Sequence, residues 1–240
     1  MSYEYHQGEL YVSENQISEI FTAAMQRVYL WMAVGLLLTA AVAYYVSNSF
    51  TLLNLIFSSQ FTFFGLILLE LGLVFGISRA INRLSPAVAV ALFLLYAAIN
   101  GLTLSAIFLA YSFGTITLAF GTTAVVFGIM SIVGWTTKQD LTKWGGILFM
   151  GLIGLIVASI ANYFLASTTL DWIITYAGIL IFMGLTIYDT KRIKMMAQNA
   201  AIQGAEAATI GRIGVLGALS LYRDFINLFL FLLRLLGRRD

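Results

Sequence analysis

Cysteine is absent from the 240-residue chain. That excludes disulfides, thiolate metal sites and cysteine nucleophiles. Histidine occurs once, as His6 in the polar N-terminal stretch. Intramembrane serine and metal proteases, which need a histidine base or histidine ligands, are therefore excluded as well. The one proline, Pro86, sits just before an apolar stretch, where the first helical turn has spare donors. Kinked or broken helices of the transporter kind consequently have little support. Charge is scarce too: 10% of residues, against about 25% in an ordinary soluble domain. A net charge of +2 is too small for a nucleic-acid binder. No phosphate-cradling or dinucleotide fingerprint occurs. The last lysine, Lys194, precedes the final apolar segment, so a retinal Schiff base is also ruled out. The expectation is a protein that is not an enzyme and needs no cofactor.

What fills the chain is hydrocarbon: 60% of residues are hydrophobic and the mean hydropathy is +0.92. Spread over the whole length, this predicts an all-α integral membrane protein in contact with the lipid bilayer. Seven stretches approach the roughly 20 apolar residues needed to cross the hydrocarbon core. They are Val28–Val46, Phe61–Ser78, Ala87–Tyr111, Thr115–Trp135, Gly145–Leu165, Trp172–Tyr188 and Ile213–Leu236. Residues 1–26 form a polar, mildly acidic tail, and 238–240 a short basic C-terminus. In the tail, Ser13 and Gln16 match a capping box, with Ile17, Ile20, Phe21 and Ala24 following at helical spacing. That pattern fits a short amphipathic surface helix; a solvated tail is the alternative.

Lys and Arg set the orientation. Arg27, Arg79, Arg83, Lys138, Lys143, Lys191, Arg192, Lys194 and Arg212 all fall on one side of the alternation, and residues 47–60, 112–114 and 166–171 contain none. The N-terminus is therefore expected in the cytoplasm. Arg238 and Arg239 conflict with this if the seventh segment crosses. Either that segment spans as a central helix shielded by the other six, or it enters and returns; its length favours crossing.

Charges inside a membrane cost a few kcal/mol each and mark function. Glu70 lies near the middle of the second span, Asp189 at the end of the sixth, and Arg223 and Asp224 halfway along the seventh. Gly217, Ser220, Asp224, Asn227 and Arg234 share one face of the last helix, with Leu221, Phe225, Leu228, Leu232 and Leu235 on the others. Such a stripe faces protein or water. Blander roles stand beside this: Asp189 in an interfacial salt bridge with Lys191 or Arg192, Arg223 neutralising Asp224 or snorkelling to the interface, Glu70 as a protonated packing residue. Gly72 and Gly76 make a small-xxx-small step, weak evidence for close packing.

The tail "ALSLYRDFINLFLFLLRLLG" resembles the signature of the Bax inhibitor-1 (transmembrane Bax-inhibitor-motif) family. "GLTIYDTKRIK" (184–194), "INGLTLSAIF" (99–108) and "GWTTKQDLTKWGGILFMGLIG" (134–154) are similar to other parts of it, and the resemblance covers residues 25 to 237. It implies a bacterial inner-membrane protein with its last helix enclosed by two groups of three. It also implies a pH-sensitive calcium leak, with calcium ions and protons as partners. By motif the gating aspartates, and candidate calcium ligands, are Asp189 and Asp224. The arginine that latches them is Arg83 or Arg79. Glu70, Asn100, Ser220 and Asn227 are assigned to the ion pathway. Arg223 departs from the apolar residue usual there and, as a fixed positive charge beside Asp224, would modulate cation entry.

Two carboxyls brought into contact share a proton and titrate as a coupled pair. A proton-gated calcium leak is the leading expectation. The alternative is a membrane-embedded regulator that binds other membrane proteins, such as a quality-control protease, through its N-terminal tail. A small-solute transporter is disfavoured by the scarcity of other intramembrane polar groups.

Overall fold

The computed structural model describes residues 14–237, which are helical almost throughout and contain no strand. Helix α1 runs from Glu14 to Ser47, α2 from Phe50 to Phe57, α3 from Gln60 to Ala80, α4 from Pro86 to Leu104 and the single turn α5 from Ile107 to Ala110. Helix α6 covers Phe113–Thr136, α7 Thr142–Leu165, α8 Thr168–Ile202 and α9 Ala207–Leu236. Seven spans, with α4 and α5 counted together, are long and apolar enough to cross a membrane.

Serines punctuate this order. The side chains of Ser49, Ser85, Ser112 and Ser167 accept hydrogen bonds from the first-turn amides of α2, α4, α6 and α8, supplying partners to donors that a helix start leaves orphaned. Pro86 occupies the first turn of α4 as expected. Helix α8 ends in a tight turn: Gly204 takes φ 61°, and the amides of Gly204 and Ala205 donate to the carbonyls of Ala201 and Ala200. Glycine suits that left-handed position because it has no Cβ to clash.

Lysines of α8 tie down the α6–α7 connection. Lys194 Nζ donates to the Trp135 carbonyl (2.7 Å), and Lys191 Nζ to those of Thr137 and Gln139. These cations meet the negative end of α6. In the same connection, hydrogen bonds from the side chain and amide of Thr142 hold the Asp140 carboxyl below the usual carboxylate range.

The core is built around α9. It packs on α8, α1, α6 and α4, and more lightly on α3; α7 lies on α8 and shares a cavity with α9. No residue from Ala208 to Gly237 is exposed. By contrast α3 and α7 show most of their surface outward, as Leu68, Phe75, Met150 and Val157 illustrate.

Two boundaries differ from the sequence reading, and one alternative is resolved. Residues 14–26 are not a separate surface helix but the start of α1, continuous with the first span. Ala24 and Met25 are buried there and Phe21 packs on Trp135 (5.2 Å), so the apolar face sits on the protein. Ser13, His6 and residues 238–240 lie outside the described residues. Helix α8 does not stop near Tyr188 but runs to Ile202, because Ile193, Ala197, Ala200 and Ala201 continue its buried face past the lysines; Asp189 is thus mid-helix. Helix α9 is one unbroken rod of 30 residues, with no turn at which it could enter and return. Its apolar faces are also buried, with Leu221, Leu228 and Phe225 at 0%, 0% and 3% exposure. The polar stripe is therefore one enclosed side among several.

Glycine permits close helix approaches, as at Gly101 between α4 and α1. A Cβ on Gly101 would lie 2.8 Å from the Thr39 carbonyl oxygen and from the Val42 Cβ, whereas one on Gly72 would meet nothing within 4 Å. Gly101→Ala is expected to push α4 from α1 and to destabilise by about 1–3 kcal/mol, an overpacking cost. Gly72→Ala should leave thermal unfolding in detergent unchanged or slightly raised; equal melting of the two variants would refute the packing argument.

Candidate functional site

Two polar clusters occupy opposite sides of α9. Tyr222 and Asp224 are two residues apart, about 200° around a helix. Asp224 turns toward α8 and the α7 side; Tyr222 turns toward α1 and α4.

On the first side, the carboxyls of Asp189 and Asp224 lie within reach of each other and interact. They are 7% and 3% exposed. Asp189 is brought inward by the stripe Phe182, Thr186, Asp189, Thr190, Ile193, which makes the buried face of α8. Arg223 and Arg192 are the positive charges nearest the pair, without forming a direct ion pair among the described residues. Asp224 Oδ2 and Arg223 Nε are buried without a hydrogen-bond partner there. Both residues line a cavity of about 700 Å³ between α7, α8 and α9. Tyr188, Arg192 and Asn227 line it too, and apolar side chains of α7 form its far wall. Asn227 donates from its side-chain amide to the Arg223 carbonyl (2.8 Å).

On the second side, Glu70 accepts from Asn100 Nδ2 (3.0 Å) and from Thr103 Oγ1 (2.8 Å). Tyr222 donates to Asn100 Oδ1 (3.1 Å) and lies 2.6 Å from Thr39 Oγ1. The run joins α3, α4, α9 and α1. Tyr222 is fully buried, with Phe93 and Tyr96 edge-on to its ring. Half-buried Glu70 is thereby given two donors at the level where hydrocarbon supplies none.

The residues named from sequence fall into separate places. Asp189, Asp224, Arg223 and Asn227 come together. Glu70 and Asn100 meet each other in the second cluster, not the first. Ser220 is half-buried and does not line the cavity. Arg79 and Arg83 are exposed and form no ion pair among the described residues. The basic groups beside the carboxyl pair are Arg223 and Arg192, because α3 ends on the far side of α4 from it. Thr39, Thr103, Tyr222 and Arg192 went unassigned to any site in the sequence reading. A lone hydroxyl in an apolar run, as at Thr39, is the faint signal that marks such partners.

The pair offers four carboxyl oxygens, short of the six to eight ligands calcium takes. Among the described residues no group of three or more acidic, histidine or cysteine side chains is assembled.

Fold and site together define a seven-span helical membrane protein with a carboxyl pair enclosed against its last helix. A family model described as "Inhibitor of apoptosis-promoting Bax1" matches residues 22–240, and the chain belongs to the Bax inhibitor-1 family. It is 47% identical over 215 residues to the inner membrane protein YbhL of Escherichia coli, covering 90% of this chain and 91% of that protein. An uncharacterized protein of Borreliella burgdorferi is 45% identical over 219 residues, with 90% and 91% covered. The uncharacterized membrane protein SpyM3_0260 of Streptococcus pyogenes is 40% identical over 220 residues, with 89% and 92% covered.

The second cluster generates its own expectation. Tyr222→Phe removes the donor to Asn100 inside the protein and should destabilise by about 1–3 kcal/mol, the cost of an unsatisfied buried polar group. Thermal unfolding measured with Asn100→Leu and the double variant checks it. The double should cost less than the sum of the singles; strict additivity would mean the contact contributes nothing.

Proposed function

We propose that this protein is a proton-gated cation leak of the bacterial inner membrane, with calcium as the conducted ion and no catalytic step. The observation that carries this reading is the meeting of the buried Asp189 and Asp224 carboxyls beside a cavity. Two carboxyls in reach of each other and out of water hold a proton between them, so the two side chains titrate as one unit. Losing that proton leaves two like charges in contact and changes their attraction for Arg223 and Arg192. Tyr188 is the further titratable group on the cavity wall. A difference of one pKa unit between two conformations amounts to about 1.4 kcal/mol, a tenfold shift in their populations.

Orientation supports a sensor of internal pH. Lys191, Arg192 and Lys194 follow Asp189 directly, and the positive-inside rule assigns that end to the cytoplasm. The latch role expected of Arg83 or Arg79 is better filled by Arg223, which neighbours both carboxyls. The regulator reading has less support, since residues 18–26 of its supposed handle belong to a helix packed on the protein's own core.

The test is calcium flux into proteoliposomes across pH. Asp224→Asn and Asp189→Asn should each flatten the pH dependence. The double variant should flatten it no further, because the pair acts as a unit. Flux that keeps its pH profile in both single variants would overturn the mechanism.

A further inference from the structure

The cavity beside the aspartates does not stand alone. A second cavity, of about 360 Å³, shares Ser159, Asn227 and Phe231 with it and reaches Tyr111 and Arg234. A third, of about 230 Å³, shares Tyr188 and Arg192 with it and reaches Asp140 and Lys191 in the α6–α7 connection. Placed end to end, the three run along the seam of α7, α8 and α9, from the Lys-rich face to the opposite one. At that far end Arg234 Nη1 meets Asp171 Oδ1 at 3.4 Å. This links the last turn of α9 to the first turn of α8, where each charge also suits its helix end.

We infer that this seam is the water-filled route of the conducted ion, with the Asp171–Arg234 pair closing its far mouth and Ser159, Asn227 and Phe231 forming its neck. The inference rests on the leak proposed above and adds its path. Unpartnered buried atoms support it: Asp224 Oδ2, on a side chain 3% exposed, belongs to the wall of the first cavity. The neck is built and not accidental. The Phe231 ring stacks on Phe182 (5.9 Å) and fills the place a Cβ on Gly178 would take, 2.5 Å from that Cβ. Along the walls each cation stands by an acid: Lys191 by Asp140, Arg223 and Arg192 by the aspartate pair, and Arg234 by Asp171. With both aspartates ionised, no stretch of uncompensated positive charge bars a cation; with one proton held between them, the two arginines outweigh the pair. The competing occupant is lipid, because Phe149, Ile156 and Ile160 on the α7 wall, and Ser159 of the neck, are exposed.

The absence of cysteine makes the test direct. Single cysteines at Ser159, Asn227 and Val157 are probed in vesicles with a membrane-impermeant, positively charged methanethiosulfonate. Val157 faces outward from α7 and is 59% exposed. The expected result is reaction at Ser159→Cys and Asn227→Cys and none at Val157→Cys. Adding Arg234→Gln should speed labelling of both neck positions and raise calcium flux about fivefold, the scale of losing one partly exposed ion pair. Arg234→Lys should stay near wild type. Silence at both neck positions with Arg234→Gln present, in protein that still elutes and melts like wild type, overturns the route and assigns the seam to lipid, whatever the flux. Labelling without calcium flux would keep the route and refute the leak.

Discussion

A helix that carries Tyr222, Arg223, Asp224 and Asn227 in close succession spreads polar groups over about 200° of its circumference, and that much of it cannot be given to hydrocarbon. Each of those polar groups needs a partner that lipid cannot provide. The rest of the architecture follows from that constraint. Helices α1, α4, α6 and α8 close around α9, while α3 and α7 show most of their own surface outward. The bundle is thus organised by a polar problem at its centre as much as by apolar burial. Its most enclosed helix is also the one with the lowest hydropathy among the seven spans.

The two polar clusters solve that problem differently. Around Tyr222 the hydrogen bonds run through four helices and reach Glu70, giving a fixed, cross-braced interior. Around Asp224 the groups meet a cavity, one oxygen lacks a protein partner, and the positive charges stand off. Satisfied buried networks rigidify and partly satisfied ones can change state. One residue of α9, Arg223, lies between a braced face and a changeable one.

Much of this was legible in the chain. Apolar length located the spans, the alternation of Lys and Arg ordered the connections, and Asp189 and Asp224 stood out as acids in apolar runs. What was not legible has physical reasons. The reach of α8 beyond Tyr188 was hidden by Lys191, Arg192 and Lys194, which read as a loop although Ile193, Ala197 and Ala201 keep the helical period on the other face. The start of α1 at Glu14 was masked in the same way by polar residues outside the buried stripe. Helix α2 lies in a stretch taken for a connection, where only Ser49 signals a start. The family resemblance assigns the arginine of the pair to the end of α3, and Arg223 reads from sequence as a neutralising, snorkelling or modulating charge. Adjacency in sequence says nothing about which neighbour a long side chain leans toward, and only packing against α8 decides it.

Helix α8 carries a geometric coincidence. Asp171 and Asp189 are 18 residues apart, five turns of 3.6, so they project from the same side of one uninterrupted rod about 27 Å apart along its axis. That distance is close to the full thickness of the oily layer. One uninterrupted helix thus presents an acid near each surface of that layer, both on the same side of the rod.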